Sequence, residues 1–220
     1  MTATSEASWS IADMTGSARE IHGTDLAQSD AHSMWFLDAI EPALVLGSTQ
    51  PQQGSGIDIV RRRSGGGAVL VGRETSTWVD LVIPRASPLW DDDVGRSMHW
   101  VGELWSRALI DLGVEAAVHR GPLRHSEWSR TICFAGLGPG EVVDGQGRKI
   151  VGVAQRRTRA GARFQTIVYH HDVVARVVDL LDLGVDAARA TAELASTTTV
   201  VDVDRAALRR RLVAHLPLLG

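Results

Sequence analysis

Apolar residues in the first half of the chain follow two different periods. Four of them recur at helical spacing between about residues 19 and 40 and predict a helix: Ala27, Ala31, Met34 and Trp35. Pro42 follows as a stop signal. Beyond it, short apolar runs bounded by turn residues are typical of strands, and we predict these at 43–48, 57–62, 68–71 and 77–84.

The second half opens with the clearest helical stripe of the chain. The run Asp91–Asp93 offers an N-cap, Gly113 is a natural stop, and eight apolar residues lie between them: Val94, Met98, Val101, Leu104, Trp105, Ala108, Leu109 and Leu112. The later pattern predicts strands at 116–120 and 162–171, a buried apolar run at 131–136, and a hairpin over 140–158 that turns at Asp144-Gly145. From Asp172 onward the pattern is helical.

Runs of strands with helices at the start, middle and end predict an α+β fold with a mixed, largely antiparallel sheet flanked by helices. We expect a loosely ordered lead-in over residues 1–18 and a main domain over residues 19–175. Residues 176–220 are expected to form a helical extension packed on the same domain.

Composition narrows the functional classes. The chain has 220 residues, 44% of them hydrophobic and 22% charged, which is ordinary for a globular domain with a core. It contains no apolar run long enough to span a membrane, and its N-terminus lacks the features of a secretory signal. The single cysteine, Cys133, fits a reducing cytoplasm, and the net charge of −3 argues against nucleic-acid binding. We therefore expect a cytoplasmic protein that binds neither membranes nor nucleic acid.

The first candidate site is the segment Arg61–Val69, which reads RRRSGGGAV after a predicted strand. Glycine backbone can approach a ligand closely, and successive N–H groups can cradle an anion beside arginines that contact phosphate or carboxylate. A flexible turn with a solvated basic flank is an equally weighted alternative. The P-loop and the dinucleotide fingerprint are excluded, because neither spacing is present.

The second candidate is Lys149, in the segment Gly147–Arg157 that reads GRKIVGVAQRR. An ammonium here could polarise a carbonyl and neutralise a phosphate during acyl transfer. Taken alone, the lysine is more simply an exposed cation on a hairpin. Adjacent His170 and His171 point to opposite faces of a strand, so no metal site is predicted.

The order of three motifs changes both interpretations. The segments 42–50 (PALVLGSTQ), 61–69 and 147–155 resemble the P-x-h-h-h-G-x-x-Q, R-R-x-S-G-G-G-A-V and G-x-K-h-x-G-x-A-Q motifs of the lipoate–protein ligase A family, part of the biotin/lipoate ligase superfamily. The resemblance covers about residues 25 to 175 and implies that the main domain is a ligase-like catalytic domain.

The resemblance also implies chemistry in two steps. Lipoate or octanoate reacts with ATP, accompanied by Mg²⁺, to give acyl-AMP, and the acyl group then passes to a lysine of a lipoyl carrier domain of the 2-oxoacid dehydrogenase E2 or glycine-cleavage H protein type. A separate accessory subunit could complete the enzyme. Lys149 is the implied catalytic residue. The implied substrate and acyl-AMP contacts are Arg61, Arg62, Arg63, Ser64, Gly65, Gly66, Gly67, Ala68, Gly152, Val153, Ala154 and Gln155.

Two departures from the family pattern leave other functions open. Residues 70–76 replace the H-D-x-G-N stretch, and Gln165 is followed by threonine instead of the family's Q-H-G. The alternatives are an octanoyl or lipoyl transferase that needs no ATP, or a non-catalytic protein that binds acyl-AMP. No cysteine follows Lys149 at the transferase spacing, and Cys133, in an apolar run, is expected to be a buried inert thiol. Trp78 is hypothesised to border the acyl pocket.

Overall fold

The computed structural model describes residues 8–24 and 31–219, and the strands among them form two sheets. The strands are β1 (Ser10–Gly16), β2 (Ser33–Ala39), β3 (Ala43–Leu46), β4 (Asp58–Arg61), β5 (Val69–Val71), β6 (Ser76–Pro84), β7 (Ala117–Val118), β8 (Val142–Val143), β9 (Lys149–Arg157) and β10 (Gly161–Tyr169). The seven-stranded sheet has the order β1-β2-β6-β10-β9-β8-β7, and the three-stranded sheet has the order β4-β3-β5. Only the pairs β1–β2 and β3–β4 are parallel, so the predicted mixed, largely antiparallel sheet is confirmed.

Helices cover both faces of the large sheet. They are α1 (Ala18–Gly23), α2 (His99–Ile110), α3 (Val174–Leu181), α4 (Ala187–Thr197) and α5 (Arg205–Ala214). One apolar core lies between the large sheet and the pair α2 and α5, and a second lies between the large sheet and the small sheet with α1, α3 and α4. Among the described residues, no helix is long and apolar enough to cross a membrane.

The central strands explain this layering. In β10, Phe164 and Val168 belong to the core under α2, whereas Ile167 and Tyr169 belong to the core under the small sheet. Side chains alternate between the two faces of a strand, so a strand such as β10, which is buried at nearly every position, is covered on both sides.

The predicted helix over residues 19–40 is wrong for its second half. The structure has the short helix α1, whose N-terminus is capped by a capping box between Ser17 and Glu20, and then the strand β2. Met34 packs in the core under α2, while Leu37 and Ala39 pack in the opposite core, which is the period of a strand and not of a helix. Ala27 lies outside the described residues.

The expectation of a loosely ordered lead-in over residues 1–18 is corrected for residues 10–16, whereas residues 1–7 lie outside the described residues. Residues 10–16 form β1, which pairs in parallel with β2 from Ser10–Ser33 to Gly16–Ala39. Its backbone is further fixed at both ends, since Ser10 N donates to His32 O and Ile40 N donates to Gly16 O, each at 2.9 Å. Backbone pairing with a covered strand orders this segment although its side chains carry only a weak apolar pattern.

The central helix begins later than its apolar stripe suggests. A short 3₁₀ turn over Arg96–Met98 precedes α2, and Asp93 caps that turn by accepting a hydrogen bond from Arg96 N at 2.8 Å. Val94 therefore lies outside the helix and is exposed. The other predicted strands, the hairpin that turns after Asp144 and the C-terminal helices are confirmed within one or two residues at most boundaries.

Candidate functional site

The glycine loop, residues Gly65–Gly67, lies between β4 and β5 and touches a short turn formed by Cys133–Ala135, the cysteine turn. Gly66 has a φ of +94°, which side-chain-bearing residues rarely adopt. A Cβ on Gly67 would lie 2.5 Å from the backbone nitrogen of Cys133. Backbone conformation at one position and close approach at the next therefore both require glycine.

Arg62 holds the glycine loop from below. Its buried guanidinium donates to the carbonyl oxygens of Val45 at 3.2 Å, Gly65 at 2.7 Å and Gly67 at 2.8 Å. Burial lowers the pKa of Arg62, because the charged form loses its water. Within the described part of the chain, the hydrogen bonds of this cationic side chain all go to backbone carbonyls, and the side chain also lines the cleft described below.

The two arginines beside Arg62 are placed differently. Arg61 donates through Nη1 to the carbonyl oxygens of Gly47 at 3.0 Å and Gln50 at 2.5 Å, and so anchors the segment that joins β3 to β4. Arg63 is exposed and is not among the residues that line the cleft. Of the three predicted phosphate-binding arginines, the structure brings only Arg62 to the cleft wall.

The flanks of the glycine loop are fixed by hydrogen bonds. Ser64 is buried, and its hydroxyl donates to Gln165 Oε1 at 2.6 Å. Ala68 N donates to Thr131 O at 2.8 Å, and Ala68 O accepts from Cys133 N at 3.0 Å. Ser64 and Ala68 therefore position the loop, and neither lines the cleft.

A cleft of about 740 Å³ opens above the glycine loop. One wall is the segment between β7 and the cysteine turn, and the other is the start of β9. Of the predicted site residues it is lined by Arg62, Gly65, Gly66, Gly67, Lys149, Val153, Ala154 and Gln155. Arg130, which no ion pair engages among the described residues, adds a further cation to the lining.

A narrow apolar pocket continues inward from the cleft, with which it shares Arg62, Cys133, Val153 and Ala154. Its free volume is about 30 Å³, and its remaining wall consists of Val69, Val71, Trp78, Gly152, Gln165, Thr166 and Ile167. The hypothesis that Trp78 borders this pocket agrees with its position.

A buried polar network fixes the Trp78 indole. Its Nε1 donates to Asp80 Oδ1 at 2.7 Å, and its ring packs on His22 with centroids 4.7 Å apart. Asp80 is fully buried and pairs with Arg163 at 2.5 Å. Burial raises the pKa of Asp80, although Arg163 opposes that effect. Burial, together with the positive charge of Arg163, lowers the pKa of His22 to about 3, so the imidazole is neutral at pH 7.

Lys149 lies at the first position of β9 and lines the cleft, and its Nζ is near Cys133, a residue that lines both the cleft and the apolar pocket. Lys149 is 2% exposed, which contradicts the alternative that it is a solvent-exposed cation on a hairpin. Its ammonium forms an ion pair of 2.6 Å with Glu141 and donates to Cys133 O at 2.8 Å and Gly136 O at 3.1 Å. Burial alone would lower the pKa of Lys149, but Cys133 and Glu141 reverse the effect and raise it, so the side chain is charged at neutral pH.

Sequence reasoning missed the groups that surround Lys149. Glu141 is buried in the cleft wall, and only its place at the start of the predicted hairpin could have drawn attention to it. Cys133, expected to be buried and inert, is half-buried, lines both cavities and has its Sγ 3.6 Å from Lys149 Nζ. Among the described residues, no group of three or more His, Cys, Asp or Glu side chains is placed to hold a metal ion.

The fold of this chain is similar to the folds of several solved ligase structures. An archaeal bi-partite lipoate protein ligase from Thermoplasma acidophilum, whose structure was determined with its E2 lipoyl domain, has a TM-score of 0.74 and 17% identity over 95% of this chain and 82% of that one. A lipoate-protein ligase A bound with ATP has a TM-score of 0.70 and 18% identity over 96% and 83%. Protein Ta0514 from T. acidophilum with bound lipoic acid has a TM-score of 0.70 and 17% identity over 96% and 83%.

At these identities the structural neighbours establish the fold alone. A search of curated proteins finds no sequence match. The family assignment comes from the lipoyl protein ligase A/B catalytic domain, whose sequence model matches residues 19–203, which is most of the chain. The chain therefore belongs to the lipoyl protein ligase A/B catalytic-domain family.

Proposed function

We propose that this protein is a lipoate–protein ligase that activates lipoate or octanoate with ATP and transfers the acyl group to a lysine of a carrier domain. The observation that carries the proposal is the position of Lys149. A buried, charged ammonium lines a wide cleft that also contains Arg62 and Arg130, and it lies beside Cys133, which the cleft shares with a narrow apolar pocket. An acyl adenylate has the same division into an apolar chain, a reacting carbonyl and a phosphate.

In the first step, the carboxylate lies beside Lys149 and the acyl chain enters the apolar pocket, which must widen because its free volume of about 30 Å³ is smaller than the chain. A carboxylate oxygen attacks the α-phosphorus of ATP, the bond to the β-phosphate oxygen breaks, and pyrophosphate leaves. The ammonium stabilises the negative charge on the carboxylate and the phosphate. The glycine loop, at the base of the cleft, offers backbone N–H groups to the phosphate.

In the second step, the amine of the carrier lysine attacks the acyl carbonyl. The bond between that carbonyl carbon and the phosphate oxygen breaks, AMP leaves, and the attacking nitrogen loses a proton. Lys149 acts on the same two groups here, the acyl carbonyl oxygen and the departing phosphate, and this is how one residue serves both steps.

Magnesium normally accompanies ATP and shields the phosphate charge. Glu141 is the one carboxylate among the residues that line the cleft, and both of its oxygens already accept hydrogen bonds. Such a site suits an ion held mainly by phosphates and water, with at most one protein carboxylate. Arg130 also lines the cleft, and we expect its side chain to contact the phosphates together with Lys149.

The carrier is proposed to be a lipoyl domain of the 2-oxoacid dehydrogenase E2 or H protein type. The bi-partite ligase from T. acidophilum, solved with its E2 lipoyl domain, supports both this partner and a separate accessory subunit. The test combines ATP–pyrophosphate exchange dependent on lipoate or octanoate with mass spectrometry of an apo lipoyl domain. A ligase gives exchange and a carrier heavier by one acyl group. Tight acyl-AMP binding without exchange would identify a non-catalytic binding protein instead.

A second candidate function rests on Cys133. Its thiol lines both cavities and lies 3.6 Å from Lys149 Nζ, which is compatible with acyl transfer without ATP. In that reaction the Cys133 sulfur attacks the thioester of an acyl carrier and releases the carrier thiol, and the acceptor amine then displaces Cys133. The Cys133→Ser variant separates the two functions, because a transferase loses its acyl-enzyme whereas a ligase keeps exchange activity.

A further inference from the structure

The Lys149 ammonium has three hydrogens, and three oxygen atoms take them. Glu141 Oε1 lies at 2.6 Å, Cys133 O at 2.8 Å and Gly136 O at 3.1 Å from Nζ. A substrate oxygen can bind the ammonium only by replacing one of these three acceptors. Two are neutral backbone carbonyls, and the third is a carboxylate in a buried ion pair, which is the hardest of the three to replace.

The Glu141 carboxylate is itself held by backbone groups. Its Oε2 accepts from Gly138 N at 2.7 Å, and its Oε1 also accepts from Val153 N at 3.2 Å. Val153 lies on β9, four residues after Lys149, so the carboxylate is tied to the strand that carries the ammonium. Because the anchors are main-chain atoms and both side chains are buried, the carboxylate occupies one fixed position relative to the ammonium.

We propose that Glu141 is the positioning residue of Lys149: it keeps the buried ammonium charged and directed to the junction of the cleft and the apolar pocket. The substrate carbonyl or phosphate oxygen then replaces a backbone carbonyl, while the ion pair with Glu141 remains. The catalytic use of this arrangement rests on the proposed function, whereas the ion pair and its effect on the lysine do not.

The charges around Lys149 determine the sign of the effect. The titratable groups that act on it are Cys133 from the cysteine turn and Glu141 from the segment before β8, and Cys133 in turn lies near Arg62 and Tyr169. Without Glu141 the cost of burying the ammonium remains while its ion-pair partner is lost, so the pKa of Lys149 falls. The variant therefore loses the charge on Lys149 at a lower pH than the wild type does.

The composition of the chain makes this measurable without turnover. Lys149 is the only lysine among the 220 residues. In protein labelled with ¹³C-lysine, one set of side-chain NMR signals therefore reports Lys149 alone. The titration of its Cε shift is compared between wild type, Glu141→Gln and the matched control Asp144→Asn. Asp144 accepts a hydrogen bond from Arg148 Nε at 2.8 Å in the same hairpin. Removal of the Asp144 carboxylate therefore loosens the hairpin but leaves the ion pair of Lys149 with Glu141 in place.

We expect a lower titration midpoint in Glu141→Gln than in wild type, and the wild-type midpoint in Asp144→Asn. Equal midpoints in wild type and Glu141→Gln, or equal shifts in both variants, would overturn the proposal. If Glu141→Gln does not fold by circular dichroism, Glu141→Asp replaces it. The shorter carboxylate weakens the contact, so a midpoint below wild type supports the proposal and an unchanged midpoint overturns it.

A second readout separates positioning from structure. In the exchange assay, kcat of the Glu141 variant should decline at a lower pH than that of wild type, with KM for ATP changed by less than about threefold, a factor that corresponds to roughly 0.6 kcal/mol. A uniform loss of kcat across the pH range contradicts the positioning role. Absence of exchange in the wild type would refute the proposed function and leave the NMR result to decide the role of Glu141.

Discussion

Gly67→Ala tests the contact between the glycine loop and the cysteine turn. A Cβ at this position would lie 2.5 Å from both Cys133 N and the carbonyl carbon of Ile132. Non-bonded heavy atoms prefer separations of about 3.5 to 4.0 Å, so the two segments must move apart by about 1 Å. Both clashing atoms are backbone, and no side-chain rotation can relieve the overlap.

The separation has an energetic and a catalytic consequence. Overpacking of this kind costs about 1 to 3 kcal/mol of unfolding free energy. The cysteine turn also supplies a carbonyl that positions Lys149, and a displacement of about 1 Å in a site can reduce the rate on the order of 100-fold. We therefore expect Gly67→Ala to lose both stability and turnover.

Urea unfolding followed by tryptophan fluorescence measures the first effect, and lipoate-dependent exchange measures the second. The matched control for stability is Gly65→Ala, because a Cβ there meets nothing within 4 Å. We expect this control to stay within about 0.5 kcal/mol of wild type. Equal unfolding free energies for the two variants would refute the reasoning about the close approach.

Two further predictions concern the inner pocket and its polar support. The pKa of His22 falls from 6.5 to about 3 on folding, so the contribution of the neutral imidazole to stability is complete above about pH 6.5 and is lost as the pH drops toward 3. Between pH 7 and pH 5, wild type should therefore lose on the order of 2 kcal/mol more unfolding free energy than His22→Asn in urea titrations. Equal losses in the two proteins would contradict a buried neutral imidazole. Trp78→Ala removes a wall of the apolar pocket. The KM for octanoate should therefore rise about tenfold, or roughly 1.4 kcal/mol, while the KM for ATP stays unchanged. An unchanged KM for octanoate would show that Trp78 does not contact the acyl chain.

Periodicity predicted the elements with the strongest patterns. The strands β3, β4, β5, β6 and β10 and the hairpin before β9 follow directly from short apolar runs and turn residues. The segment around Met34 and Trp35 was wrongly predicted to be helical, because residues that alternate on a strand buried on both faces can also match a helical spacing over a few positions. The strand β1 is ordered by pairing with β2, a long-range partner that a local pattern does not contain.

The site likewise contains features that follow from local sequence and features that depend on tertiary contacts. Three motifs in order predicted the glycine loop and Lys149 as site residues, and the backbone conformation of Gly66 and the close approach at Gly67 explain why glycine stands at those two positions. The interpretation of the arginines depended on direction: Arg61 points to carbonyls of its own sheet, and Arg62 supports the loop from below. Neighbouring residues on a chain can serve different structures, so residue type alone could not assign them.

The partners of Lys149 were beyond sequence reasoning because they come from separate segments. Glu141 lies eight positions before the lysine, next to β8, whose register with β9 is irregular. Cys133 enters the site because the cysteine turn packs against Gly67, an approach that the absence of a side chain allows. Both contacts depend on tertiary packing, for which the chain carries no local signal.

The role of Lys149 at an acyl adenylate is tested most directly by lipoate-dependent ATP–pyrophosphate exchange in wild type and Lys149→Ala, with Arg148→Ala as the neighbouring cation control. We predict exchange in wild type and in Arg148→Ala, and a loss on the order of 100- to 1000-fold in a folded Lys149→Ala protein. Exchange at the wild-type rate in Lys149→Ala would contradict the assignment of this residue as the catalytic group.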